Sequence, residues 1–203
     1  MKIICIGRNY VDHAKELGNE IPKEPVFFMK PDTALLPKKH PFVYPSFSKD
    51  IHHEVEMVIK INRLGKHIEE RFAHKYFNEI AVGVDFTARD VQQECKSKGL
   101  PWEKAKAFDG SAPLSPFVNI NNFENINNLN FSIQINGEEK QKGNTKAMLF
   151  NFHQIIAYVS QFVTLKMGDL IFTGTPAGVS AVQINDKVVC FIETKEMLSF
   201  NVK

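Results

Sequence analysis

Apolar and polar residues nearly alternate through residues 52–59, His-His-Glu-Val-Glu-Met-Val-Ile. A period of two predicts a β-strand, in which side chains two apart share a face. Val55, Met57 and Ile59 then turn toward a core, while Glu54 and Glu56 share the other face, followed by Val58. Two carboxylates side by side repel each other unless positive charge lies between them. Alone, such a pair reads as the polar face of a half-exposed strand, because glutamate is mostly exposed. A second apolar run, residues 80–85, ends on Asp85, and Thr-Ala-Arg-Asp follows at 87–90. Thr87 as N-cap with Asp90 at the third helical position, a capping-box variant, predicts a helix from 88 to about 98. That helix carries Arg89 and Gln92 on one face, a turn beyond Asp85. Three acids on rigid elements suit a hard cation, and carboxylate-only ligation favours Mg²⁺ or Mn²⁺ over Zn²⁺. A guanidinium and an amide beside them suit a substrate carboxylate.

The same reading extends along the chain. Residues 1–7 form a first strand, with an apolar stretch too short for a signal peptide. A short helix capped by Asp12 or Asn9 follows and ends at Gly18. It puts His13 and Glu16 three apart on one face, and a carboxylate beside an imidazole tunes a general base. Residues 26–29 read as a buried strand. The three prolines in 36–45 make that segment irregular. Short surface helices are expected in 68–77 and a short strand in 117–120. Clean alternation over 131–135, then Asn136-Gly137, predicts a hairpin returning through 138–142. Phe152, Ile155, Ile156, Val159 and Phe162 mark an amphipathic helix over 151–163. Residues 170–172, 187–192 and 198–202 complete the strands. The loop Thr-Gly-Thr-Pro-Ala-Gly-Val at 173–179 lacks the Gly-Lys-Ser/Thr ending of a phosphate loop. Its threonines can still offer donors to an anion.

Composition narrows the class. At 203 residues one domain is the default, and no repeat or boundary interrupts it. A net charge of +2 gives no reason to invoke nucleic acid or a membrane surface. Cys5, Cys95 and Cys190 are far apart, with no Cys-x-x-Cys pair, and fit a reducing cytoplasm.

Five segments in order carry a resemblance that covers nearly the whole chain. They are Gly-Arg-Asn-Tyr-x-x-His-x-x-Glu (7–16), His-x-Glu-x-Glu (52–56), Gly-x-Asp-x-Thr-x-Arg-Asp-x-Gln (83–92), Gly-Leu-Pro-Trp-x-x-x-Lys (99–106) and Thr-Gly-Thr-Pro-x-Gly-Val (173–179). The chain resembles the fumarylacetoacetate hydrolase superfamily, in its short single-domain branch of acylpyruvase-like and oxaloacetate-acting enzymes. The resemblance implies a β-rich α+β fold, a mixed β-sandwich roll with short peripheral helices, and a homodimer. It implies Mg²⁺ or Mn²⁺ on Glu54, Glu56 and Asp85. His13, Glu16 and Lys106 become the catalytic residues, with Arg89, Gln92, Thr175 and Arg8 around the substrate. Residues 7–20 become a lid.

The implied chemistry is a metal-dependent reaction of a 2-oxo acid through a metal-stabilised enolate. Its outcomes are hydrolytic cleavage of an acylpyruvate to pyruvate and a carboxylic acid, oxaloacetate decarboxylation, or keto–enol tautomerisation. Isomerisation or decarboxylation of 2-hydroxyhepta-2,4-diene-1,7-dioate is the alternative within the family. A noncatalytic small-molecule binder and a structural β-domain with solvated acids are the alternatives outside it.

Overall fold

A computed structural model describes residues 1–16, 18 and 20–203. Leu17 and Asn19, in the expected lid, lie outside the described residues. In chain order the elements are β1 (Ile3–Gly7), α1 (Val11–Glu16), β2 (Val26–Lys30), β3 (Ile51–His53), β4 (Val55–Ile61) and β5 (Phe77–Val84). Then come β6 (Thr87–Ala88), α2 (Arg89–Ser97), α3 (Glu103–Lys106), β7 (Val118–Asn119), β8 (Asn130–Ile135) and β9 (Glu138–Asn144). The chain ends with α4 (Phe152–Phe162), β10 (Leu170–Phe172), β11 (Ser180–Ala181), β12 (Lys187–Ile192) and β13 (Lys195–Asn201). No helix among the described residues is long and apolar enough to cross a membrane.

The strands form three sheets, ordered β2-β1-β10-β4-β5-β7, β11-β3-β6 and β13-β12-β8-β9. The first is mixed, since β1 runs parallel to β10 while its other pairs are antiparallel. Strand β4 lies inside it and is buried on both faces. Val55, Met57 and Ile59 pack into the main core with Ile133, Ile135, Val188 and Cys190 from the four-stranded sheet. Val58, on the opposite face, joins a smaller cluster with Ile3, Cys5 and Phe172. Fully burying each such side chain contributes about 1.5–3 kcal/mol, so β4 is a rigid base for Glu56 beside Val58.

The continuous strand expected over 52–59 is divided. The chain changes sheets at Glu54: β3 pairs with β11 and β6, while β4 pairs with β10 and β5. At the switch Val55 N–H donates to the side-chain oxygen of Gln141, 3.1 Å away, rather than to a neighbouring strand. The switch leaves Glu54 between two sheets, with its carbonyl accepting from Asp85 N–H at 2.8 Å.

Two expected caps are absent, for the same tertiary reason. Thr87 is held extended by its pairing with His52, so α2 begins at Arg89 with Ala88 as its uncapped N-cap. Asp90 instead accepts from Ser48 Oγ (2.6 Å) and Lys49 N–H (2.9 Å), tying α2 to the preceding loop. Asn9 does not cap α1. It is fully buried, and its side chain bonds the main chain of Phe150 and Thr173. The Asn136-Gly137 hairpin forms as expected, both residues at positive φ (54° and 85°). Asn151 caps α4 in a full capping box with Gln154.

Candidate active site

Glu54 from the sheet switch, Glu56 from β4 and Asp85 from the end of β5 converge. All three are buried, and one carboxylate oxygen of each lies within 4.8 Å of the others. Lys106, at the C-terminal end of α3, reaches into the same group. Its Nζ donates to Glu54 Oε2 at 2.9 Å, to Asp85 Oδ2 at 2.8 Å and to Thr87 Oγ1. Arg89 lies across Glu54, with Nη2 2.5 Å from Oε1 and Nη1 donating to Gln92 Oε1 at 2.7 Å. The Gln92 amide N–H groups therefore point away from Arg89, and Arg89 Nε has no partner among the described residues.

The two glutamates differ in electrostatics. Burial works against ionising Glu54, but Lys106 and Arg89 outweigh it and hold its carboxyl well below the usual range. Glu56 is pushed well above that range by burial and by Asp85, with only the Gly174 N–H, 2.6 Å from its Oε2, pulling strongly the other way. Burial also works against the Lys106 charge, yet Asp85 and Glu54 raise its pKa and keep it an ammonium. The close approach to Glu56 depends on Gly174, which sits at φ 96° with an added Cβ only 2.6 Å from that of Asn9.

These residues fit a hard divalent cation. The convergent donors are all carboxylate oxygens. Asp85 Oδ1 accepts no hydrogen bond; Lys30 Nζ stands 2.8 Å from it but off the bonding direction, so the oxygen keeps a lone pair to give. The raised Glu56 marks a place where further positive charge stabilises the carboxylate.

Around the three acids the cleft is lined by Arg8, His13, Phe28, Arg89, Gln92, Lys96, Trp102, Lys106 and Thr175. Of the residues singled out in the sequence, Glu16 alone is outside this lining. It stands behind His13, with Oε2 3.3 Å from Nδ1, and accepts from Gly178 N–H at 3.0 and 3.2 Å. Helix α1 is thus fastened to the 173–179 loop at the lip of the cleft. Thr175 lines the cleft, but its hydroxyl proton goes to the Val55 carbonyl at 2.8 Å while its oxygen accepts from Gln141 Nε2 at 2.9 Å. The hydroxyl donor expected there for an anion is committed elsewhere.

Comparison with known proteins gives a consistent answer. The fumarylacetoacetate (FAA) hydrolase C-terminal family matches residues 2–202. The chain belongs to the fumarylacetoacetate hydrolase family. It is 44% identical over 201 residues to the mitochondrial oxaloacetate tautomerase of Rattus norvegicus, covering 99% of this chain and 91% of that protein. It is 43% identical over 188 residues to an oxaloacetate tautomerase of Escherichia coli, covering 92% of this chain and 86% of that one. The structure of fumarylpyruvate hydrolase from Pseudomonas aeruginosa in complex with Mn²⁺ and pyruvate superposes with a TM-score of 0.93 at 35% identity, covering 100% of this chain and 89% of that one. The family fold is therefore the β-rich α+β architecture described above.

Three residues of this family member escaped the sequence reading. Lys30, the last residue of β2, has a fully buried side chain beside Asp85. It also bonds the Lys106 carbonyl and both oxygens of Ser111, at 3.1 and 2.9 Å. It ties the end of β5 to the helix that delivers Lys106. Gln141 and His53 form a second support. The Gln141 amide donates to Thr175 Oγ1 and the Pro176 carbonyl, so its oxygen accepts from Val55 N–H and from His53 Nδ1, 2.8 Å away. That fixes the His53 tautomer with Nδ1 protonated and Nε2 facing Ser180 Oγ at 2.8 Å. Burial lowers the His53 pKa, so the ring is a neutral structural link. A charged Lys at a strand end and a Gln in a polar return strand carry no local signal of these roles.

Proposed function

We propose that the chain is a divalent-metal-dependent enzyme of 2-oxo acids, with oxaloacetate keto–enol tautomerisation and decarboxylation as its leading reactions. The observation that carries this reading is the buried Glu54–Glu56–Asp85 group, with the Lys106 ammonium against two of its members. The identity to oxaloacetate tautomerases supports the substrate. A Mg²⁺ or Mn²⁺ ion held by Glu54, Glu56 and Asp85 would, when bound, polarise the keto oxygen of the substrate.

The chain's own residues supply the rest. The free Gln92 amide protons and the Arg89 Nε are donors for the substrate's carboxylate end. Lys106 places a fixed positive charge where negative charge develops as C3 becomes an enolate carbon. Glu16, accepting from His13 Nδ1–H, leaves Nε2 with its lone pair toward the cleft. His13 then removes a proton from C3 of keto-oxaloacetate, the C2 oxygen takes up one from solvent to give the enol, and the reverse direction returns a proton from His13 to C3. Decarboxylation breaks C3–C4 and releases CO₂, so it needs no base before the bond breaks. We keep residues 7–20 as a lid, latched through Glu16 on the Gly178 N–H.

Acylpyruvate hydrolysis is the second reading, favoured by the same His13–Glu16 pair and by the likeness to fumarylpyruvate hydrolase. There His13 takes a proton from water, hydroxide attacks C4, and cleavage of C3–C4 yields pyruvate and a carboxylic acid. The family resemblance supports a homodimer, which light scattering reads directly. Three buried free cysteines suit a reducing compartment such as the cytoplasm, read by fractionation.

The test is ultraviolet absorbance of enol-oxaloacetate, oxaloacetate and acetylpyruvate with the purified protein, in Mg²⁺ or Mn²⁺ and in EDTA. Metal-dependent conversion above the metal-only control is expected for oxaloacetate. Conversion of acetylpyruvate alone would establish the second reading, and conversion of none would defeat both.

A further inference from the structure

We propose that Lys96 and Arg8 form a second anion subsite at the mouth of the cleft, which takes the far carboxylate of a dicarboxylic 2-oxo acid. It gives the enzyme a preference for such dianions over 2-oxo acids with an uncharged tail. The proposal rests on the 2-oxo acid reading above and adds which end of the substrate is recognised by what.

Lys96 shares the face of α2 that carries Arg89 and Gln92, at helical positions i, i+3 and i+7. All three line the cleft, together with Arg8. The stripe runs outward from the buried Arg89 and Gln92 to the exposed Lys96. The Lys96 ammonium lies 5.5 Å from the ring centroid of Trp102, which also lines the cleft. Arg8 enters the same cleft from the end of β1. It adopts φ 59°, uncommon for an arginine, between the end of β1 and the fully buried, fully bonded Asn9.

The carboxylates nearby are engaged elsewhere: Glu54 by Arg89 and Lys106, Asp85 by Lys30 and Lys106, Glu56 by the Gly174 N–H, and Glu16 by His13 and Gly178. Lys96 and Arg8 have no ion-pair partner among the described residues. Partial burial, and after it Arg89, Arg8 and Lys106, depress the Lys96 pKa, with Glu54 working the other way, so the cations crowd one another there. The lining holds four cationic side chains, Arg8, Arg89, Lys96 and Lys106, against three carboxylates. A divalent ion adds two more charges, so a dianion neutralises the loaded cleft better than a monoanion does. The competing place for a substrate tail is an adjoining apolar cavity of about 290 Å³, walled by Val26, Phe27, Met29 and Leu100 and sharing Phe28, Trp102 and Lys106 with the cleft. An uncharged tail would go there.

Two measurements on the full chain with Mg²⁺ test the subsite. The first compares kcat/KM for oxaloacetate, a dianion, and acetylpyruvate, a monoanion, in the wild type, Lys96→Met and Lys96→Arg. Lys96→Met is expected to lower the dianion-to-monoanion ratio about tenfold, mainly through KM, as loss of one charged hydrogen bond would. Lys96→Arg should keep most of the ratio. A ratio unchanged by Lys96→Met would overturn the proposal, as would an equal loss on both substrates. The second needs no turnover and follows the single tryptophan, Trp102, by fluorescence during titration with malate and with lactate. Tighter binding of malate, lost in Lys96→Met, supports the subsite, and equal affinities in the wild type sink it. Inactivity toward every 2-oxo acid alongside malate-selective binding would defeat the reaction and leave the subsite standing.

Discussion

The floor of the cleft and its lip are built on opposite plans. On the floor, Glu54, Glu56, Asp85, Lys30 and Lys106 are almost fully buried, and they are delivered by strand ends and a short helix pinned to them. Most of the polar atoms there are hydrogen-bonded within the site, Asp85 Oδ1 being an exception. At the lip, His13, Glu16, Arg8 and Lys96 come from short or exposed segments, with few bonds beyond His13–Glu16 and Glu16–Gly178. Buried, cross-bonded groups open only with the global unfolding of the domain, whereas lightly bonded surface segments open at much lower cost. The floor is therefore preorganised for charge, and the lip is the part that can respond to a ligand. The two glutamates repeat this contrast on a smaller scale. Glu54 has its charge matched inside the protein, while Glu56 stands against Asp85 with a mismatch that a cation relieves.

The sharpest break of this comparison is to remove a floor carboxylate. Asp85→Asn should lower kcat on oxaloacetate by about 10³-fold or more, the scale of losing a preorganised electrostatic group. Calorimetry should show Mg²⁺ affinity lost with it. Full turnover with intact metal affinity would remove Asp85 from the site.

The lip should separate reactions that the floor cannot. His13→Ala is expected to slow tautomerisation and acylpyruvate hydrolysis by about 10²-fold, within the range for a general base. Decarboxylation should fall much less, because it needs no proton removed beforehand. Parallel progress curves on the substrates check this, and an equal loss on all of them would end the base assignment.

The Glu54–Glu56 contrast predicts a pH dependence with a definite sign. Glu56 holds its proton above its ordinary value of 4.5 in the metal-free protein. Its folded pKa is raised, so the stability it contributes is present below that ordinary value and is lost as pH rises through the raised one. A metal ion needs the carboxylate and expels the proton. The Mg²⁺-induced rise in Tm, measured against EDTA, should therefore grow as pH rises above the ordinary glutamate value of 4.5. Glu56→Gln should flatten that growth, and a Tm shift that is constant with pH in the wild type would contradict the assignment.

The smallest expected effect belongs to the support behind Thr175. Gln141→Leu removes bonds to Thr175, Pro176, Val55 and His53 at once and should loosen the loop that receives Glu16. We expect KM to rise by about tenfold, consistent with the loss of one to two net hydrogen bonds, with kcat falling less. Gln141→Glu, which keeps an acceptor for His53, should recover part of it. A change in Tm with unaltered kinetics would make Gln141 a purely structural residue.

Much of the floor was legible along the chain. The alternation at 55–59 separated core from carboxylates, and β4 has that alternation. Arg89 and Gln92 were readable as one helical face because their spacing is local. The cap at Thr87 was misread because sheet pairing claimed that residue, and Asn9, one of two candidate caps for α1, because burial did. Lys30 and Gln141 were invisible because their partners are remote: Gln141 is 88 residues from His53, and nothing local distinguishes its return strand from a solvent-facing one.

Sequence by itself determined most of the element types, the family and the acids that can meet a hard cation. Those depend on periodicity, spacing and side-chain chemistry, which are local. Only the tertiary structure decided that the chain changes sheets at Glu54, that Lys106 bridges Glu54 and Asp85 with Lys30 against Asp85, and that Lys96 and Arg8 line one cleft. Each of these depends on which distant segments are neighbours, and that follows from burying β4 on both faces rather than from any property of the residues one at a time.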